Sequence, residues 1–276
     1  MRNFILIAVL VLAIAAYAGL HFMPTSSERV LRVGVECDYT PNNWEEDHPT
    51  ASNIPLINKK GYFAEGYDVQ IAKLVAQSLG AKLEIQKIAW EELIPALNNN
   101  KIDAIFSGML DNSDRRKIIA FSDVYGVQFV YSVMVKDNSK YSNAKYLTDF
   151  SGAKFIGQKG TNLDSAIDQL TGAIHLEPVE TVAQMFEKLL ADEVDGIIVD
   201  SETVGMYQKM YPELIEIRFP EGKGFKFDYT GVCVGLRKQD TKLTEEINAV
   251  LKKLSRTDRE RIMDSVVANE MNSISF

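Results

Sequence analysis

At 276 residues, with 46% apolar and 25% charged side chains, the chain has an ordinary globular composition and enough length for one large domain or two medium ones. Its 38 acidic residues against 30 basic ones give a net charge of −8. That balance argues against a nucleic acid partner, because phosphate binding needs a basic face and no Lys/Arg run is long enough to supply one.

The N-terminus reads as a leader rather than as part of the fold. It has a basic Arg2, an unbroken apolar run from Phe4 to Ala16, and the small-x-small triplet Ala16-Tyr17-Ala18. This is the layout of a secretory signal peptide over residues 1–18, cleaved after Ala18. An uncleaved anchor is the rival reading, since the apolar run could stretch to Phe22. No cysteine lies beside the triplet, so a lipid-anchored form is not expected. Either way the body of the protein is expected to be periplasmic or otherwise extracytoplasmic. Residues 19–30 read as a linker.

From Leu31 the apolar run "VLRVGVEC" predicts a buried strand. A polar stretch from Asp38 to Gly66, with Pro41, Pro49 and Pro55, reads as loop with room for a hairpin. "YDVQIAKLVAQSLG" is an amphipathic helix with Val69, Ile71, Leu74, Val75 and Leu79 as its stripe and Gly80 as its stop. "KLEIQKIA" then predicts a strand, "WEELIPALNNN" a helix and "KIDAIFSGM" a strand. The pattern recurs: "AKFIGQKG" is a strand, "TNLDSAIDQL" a helix, "TVAQMFEKLLADE" a helix and "VDGIIVDS" a strand. Such alternation predicts parallel sheets with helices on their faces, in two related lobes. The extended runs "FVYSVMVK" and "YTGVCVGL" are the candidates for crossovers between them. Lobe 1 is expected at 31–127 plus 229–276, and lobe 2 at 128–228. Ligands in open α/β sheets bind at the carboxyl ends of strands, where this chain carries Ser107 in one half and Asp200 in the other.

Four segments in order, "GYDVQIAKLVAQSLG", "WEELIPALNNNKIDAIFSGM", "SDRRKIIAFSDVY" and "VDGIIVDSETVGMY", resemble the extracytoplasmic solute-binding proteins of ABC importers, polar amino acid family (family 3). The resemblance runs from about Leu31 to about Lys253, and the order and spacing of the segments are what make it specific. It implies the type II periplasmic binding fold: two Rossmann-like α/β lobes joined by two crossover strands and closing around an amino acid. It also implies a membrane permease as partner, a monomer and no cofactor.

By that resemblance Arg115, not Arg116, grips the ligand's α-carboxylate, a task suited to a planar guanidinium that makes two parallel charge-assisted hydrogen bonds. Asp200 would hold the α-ammonium, although a capping role for the helix starting at Ser201 competes. Thr161 would offer its backbone N–H, with Ser107 and Gly108 beside it in the site. Tyr39 and Trp90 would flank the ligand side chain, and Glu36 would face its far end, which points to arginine, lysine or ornithine. Where the family usually carries Ser and Thr around the arginine loop, this chain has Leu110 and Asn112, which puts its backbone-recognition geometry in question.

Two other ligand or activity classes compete. A neutral polar amino acid such as glutamine or cystine would leave Glu36 without a charge partner. A prephenate- or arogenate-type dehydratase on the same scaffold would need a carboxylic acid poised as proton donor and has little use for Asp200. A receptor sensor module is a third class, and it normally requires a membrane span and signalling domain downstream. Cys37 and Cys233 could be bridged in an exported protein, but both lie in apolar runs that suit separate buried thiols. His21, His48 and His175 are scattered and give no metal-ligand spacing.

Overall fold

The structure, a computed structural model, describes residues 28–127 and 130–274. The expected leader and most of the linker lie outside the described residues, and β1 (Val30–Val35) opens the fold. The polar segment after it folds into β2 (Asp38–Tyr39), β3 (Asn43–Glu46), β4 (Ile54–Pro55) and β5 (Phe63–Glu65). These make a small antiparallel sheet in the order β2-β3-β5-β4, more structure than its prolines suggested. Next come α1 (Tyr67–Ser78), β6 (Lys82–Lys87), α2 (Trp90–Asn98), β7 (Ala104–Ile105), β8 (Leu110–Asn112), the single turn α3 (Ser113–Arg116) and β9 (Ala120–Val124).

The second half contains β10 (Tyr131–Lys136), β11 (Lys154–Phe155), α4 (Asn162–Ser165), β12 (Ile174–His175), α5 (Val182–Leu190), β13 (Ile197–Asp200), α6 (Ser201–Met210) and β14 (Leu214–Ile217). β15 (Tyr229–Leu236), α7 (Thr241–Leu251) and α8 (Arg256–Ile274) complete the chain. One sheet runs β6-β1-β7-β15-β8, with β9 also paired to β15. β1 is parallel to β6 and β7, whereas β15 is antiparallel to β7, β8 and β9. The other sheet centres on β10, antiparallel to β13 and β14, and a bridge from Phe155 to Gly196 joins the β11-β12 pair to it. These are the two α/β lobes of a type II periplasmic binding fold.

The chain passes between the sheets twice, from β9 to β10 and from β14 to β15. The first passage starts out against β15, since Tyr125 N–H donates to the Val232 carbonyl at 2.9 Å. Apolar periodicity accounts for the elements. Val69, Ile71 and Val75 are fully buried on α1, Leu74 and Leu79 are half-buried, and Gly80 at φ +60° follows the helix end. Two segments are more broken than their sequence predicts. "KIDAIFSGM" pairs as a strand only at Ala104–Ile105, because the turn at Gly108 takes the backbone to φ +61°. "TNLDSAIDQL" forms one α-turn followed by a 3-10 turn. Cys37 and Cys233 are both buried and free.

Candidate ligand-binding site

Because β1 and β7 are parallel neighbours, their carboxyl ends emerge together, and the residues that follow them meet. The Glu36 N–H donates to Ser107 Oγ at 2.9 Å, and the Glu36 side chain is only 2% exposed. Gly108 turns the chain at φ +61°, and a Cβ there would come within 2.8 Å of the Tyr39 ring, so glycine is required on two counts. β8 and α3 then carry the arginine pair. Asn112 caps α3 by accepting from the Arg115 N–H at 2.9 Å, which fixes the backbone from which Arg115 projects.

The two arginines have opposite fates. Arg116 is exposed and makes a two-pronged ion pair with Asp111, and it also reaches Thr230 Oγ1 at 2.6 Å. Arg115 turns into the cleft. Its guanidinium donates to the Leu110 carbonyl at 2.9 Å and to the Gly160 carbonyl at 3.1 Å, and lies 5.0 Å from the centre of the Trp90 ring. No carboxylate pairs with it among the described residues. Burial pulls its pKa down to about 10, as expected of a cation short of negative charge.

The opposing wall comes from the second lobe. Gln158, 3% exposed, donates its amide to a Glu36 carboxylate oxygen and to the Glu180 carbonyl at 3.0 Å. Trp90 Nε1 donates to the Gly160 carbonyl at 3.2 Å. Thr161 caps α4 with its hydroxyl, and its own N–H donates to the Gln158 carbonyl at 3.2 Å rather than into the cleft. Between the walls is a cavity of about 30 Å³. Glu36, Tyr39, Trp90, Ser107, Gly108, Arg115 and Thr161 all line it, together with Gln158, Tyr131 and Leu110.

Asp200 stands apart from these. It is fully buried at the end of β13, where it caps α6 by accepting from Thr203 N–H and Thr203 Oγ1, both at 2.9 Å. It does not line the cavity but adjoins two residues that do, Tyr39, whose hydroxyl donates to Asp200 Oδ2, and Tyr131, its register partner on β10. Capping, the competing reading of Asp200 from sequence, is thus what its geometry displays.

Burial pushes the Glu36 carboxyl up to about 8, Asp38 adds to the rise, and the Gln158 hydrogen bond and Lys87 oppose it. Asp38 itself pairs with Lys87 at 3.0 Å, outside the cavity. Trp44 belongs to β3, with its Nε1 on Glu46 at 2.7 Å. Sequence reasoning missed Gln158 and Tyr131. An amide in "GQKG" carries no signal of its own, and Tyr131 reads as one more aromatic in a strand.

A family model described as bacterial extracellular solute-binding proteins, family 3, matches residues 31–265. The arginine-binding extracellular protein ArtP of Bacillus subtilis is 26% identical over 231 residues, covering 83% of this chain and 82% of its own. The glutamine-binding protein GlnH of the same organism is 29% identical over 208 residues, 74% of this chain and 72% of its own. Among solved structures, a mutant ArgBP from T. maritima superposes with a TM-score of 0.70 at 28% identity, covering 87% of this chain and 95% of that one.

Proposed function

The chain belongs to the bacterial extracellular solute-binding proteins of family 3, and from that premise we propose that its cleft takes a basic L-α-amino acid, with arginine the best fit. Membership makes it a binding protein and not an enzyme. In this reading it works outside the cytoplasmic membrane as a monomer and would hand its solute to the permease of an ATP-driven importer. The arginine-binding relatives ArtP and ArgBP support the ligand class.

The observation that carries the reading is the burial of Glu36. A solvated carboxylate would say nothing about the ligand. One that is 2% exposed and raised to about 8 is short of a cation, and a basic side chain would supply it. Arg115, half-buried without a carboxylate, is short of an anion, and the ligand's α-carboxylate would supply that. Tyr39 and Trp90 offer aromatic faces to the stem between. The direct bonds Gln158–Glu36, Tyr39–Asp200 and Arg115–Gly160 occupy the groups a ligand would need, so binding would exchange them for bonds to ligand. Release of Tyr39 from Asp200 would free a carboxylate oxygen for the α-ammonium.

A second reading has its own observation. Glu36 already accepts from an amide, that of Gln158, so the side-chain amide of glutamine could sit in its place, and GlnH is a relative. Calorimetric titration with arginine, lysine, ornithine, glutamine and cystine separates the two. Arginine or its basic analogues binding tightest supports the proposal. Tight glutamine or cystine binding with no response to the basic amino acids overturns it.

A further inference from the structure

Behind the cleft lies a second buried carboxylate with no role in the reading above. Asp68, in the first turn of α1, is fully buried, and among the described residues it has no ion-pair partner. Two hydrogen-bond donors hold it instead, Tyr125 Oη at 2.6 Å and Asn43 Nδ2 at 2.7 Å, and the backbone N–H of Gly108 adds a third interaction that favours its charged form. Each of the three groups belongs to a different segment. Gly108 is the left-handed turn residue that itself lines the cavity. Asn43 passes the connection on, because its Oδ1 accepts from the Cys37 N–H at 2.8 Å, next to Glu36. Tyr125 sits at the first passage between the lobes and is bonded there to Val232.

The Cys37 bond has a purpose of its own. Cys37 is a non-glycine residue at φ +58°, a conformation that persists only where surrounding structure imposes it. Burying a carboxylate without a cation is costly, and helix stability does not require it here, since a first-turn acid works as well on the surface. What the burial achieves is to tie Glu36, Cys37 and Gly108 to one rigid helix. We propose that Asp68, which touches no ligand, is the positioning residue of the first lobe's binding wall, holding the Gly108 turn and the Glu36–Cys37 segment in register from behind.

This rests on the location of the site and not on which amino acid fills it. Asp68→Asn keeps the shape but turns an NH2 toward one of the three groups. The variant is expected to unfold cooperatively like the parent, to exchange the Gly108 amide proton at least about tenfold faster, and to bind L-arginine at least about tenfold more weakly.

A purely structural role would not move the spectroscopic signature. Burial holds the Asp68 carboxyl at about 6, so the Gly108 amide resonance of the parent should titrate near that pH and that of Asp68→Asn should not. The other titratable groups around this spot are Tyr67 and Tyr125, both raised by burial, with Arg259 and Glu202 acting on Tyr67 and Cys233 on Tyr125. Should Asp68→Asn fail to fold, Tyr125→Phe removes a single donor and should shift the Gly108 midpoint upward, because one bond favouring the carboxylate is gone. Unchanged Gly108 exchange in Asp68→Asn, or a Gly108 resonance that ignores pH in the parent, overturns the proposal. A parent that ignores L-arginine would sink the basic amino acid reading while leaving the exchange and titration results to decide this one.

Discussion

The two walls of the cleft are built by different means. The first lobe presents side chains, Glu36, Tyr39, Trp90 and Arg115, each steered by a strand end, a cap or a left-handed turn. The second lobe answers mainly with backbone and an amide: the Gly160 carbonyl accepts from both Trp90 and Arg115, and the Gln158 amide donates to Glu36. Charge at the cavity surface is therefore concentrated in one wall, and the second lobe keeps its carboxylate, Asp200, behind Tyr39. A wall of side chains carries the identity of the ligand, whereas a wall of backbone groups is suited to closing on whatever the first has selected.

The largest expected effect comes from removing a charge from the first wall. Arg115→Ala should abolish measurable amino acid binding while leaving the fold intact, a loss of about 2–5 kcal/mol for a buried charge partner, or roughly 30- to several-thousand-fold. Arg116→Ala should bind like the parent, because its guanidinium is spent on Asp111 and Thr230 at the surface. Calorimetry showing equal losses from the two would break the distinction between the walls.

Glu36→Gln should come next. It should weaken arginine by about 10- to 100-fold, the worth of a hydrogen bond to a charged group, and leave glutamine nearly unaffected. Glu36 also predicts a pH dependence whose sign is fixed. Its carboxyl sits at about 8 in this arrangement, and a bound cation would favour the carboxylate and lower that value. Arginine affinity should therefore rise from pH 6 to pH 8 and level off above, with a proton released on binding at pH 7. Stability runs the other way: a carboxyl raised on folding is favourable below its unfolded pKa and loses that contribution as pH climbs toward 8. Glu36→Gln should accordingly raise the melting temperature at pH 9 and change it little at pH 4.

The asymmetry of the walls also explains what could be read from sequence. Strand-helix alternation was legible because burial on both sheet faces forces apolar runs such as "VLRVGV" and "DGIIVD". Arg115, Tyr39, Trp90 and Glu36 were legible through the ordered motifs around them. Gln158 was not, since what matters is its meeting with Glu36 across 122 positions of chain, which no local pattern encodes. Asp200 shows the converse, a motif residue whose visible work is to cap α6 and receive Tyr39. The network behind the wall was equally hidden, because Asn43, Asp68 and Tyr125 come together only once the lobe has folded.

The smallest effects should come from the second wall. Thr161→Ala removes the hydroxyl that caps α4 and bonds the Gln158 carbonyl at 2.6 Å. A lost cap typically costs about 1 kcal/mol, so a modest drop in melting temperature is expected. Affinity should fall by less than about tenfold, since Gly160 and Gln158 keep their backbone path through the remaining N–H bond from Thr161 to Gln158. The Thr161→Ser variant retains the hydroxyl and should restore both. A loss as large as that of Arg115→Ala would mean that the second wall selects ligand as strongly as the first, and the division of labour between side chains and backbone would have to be given up.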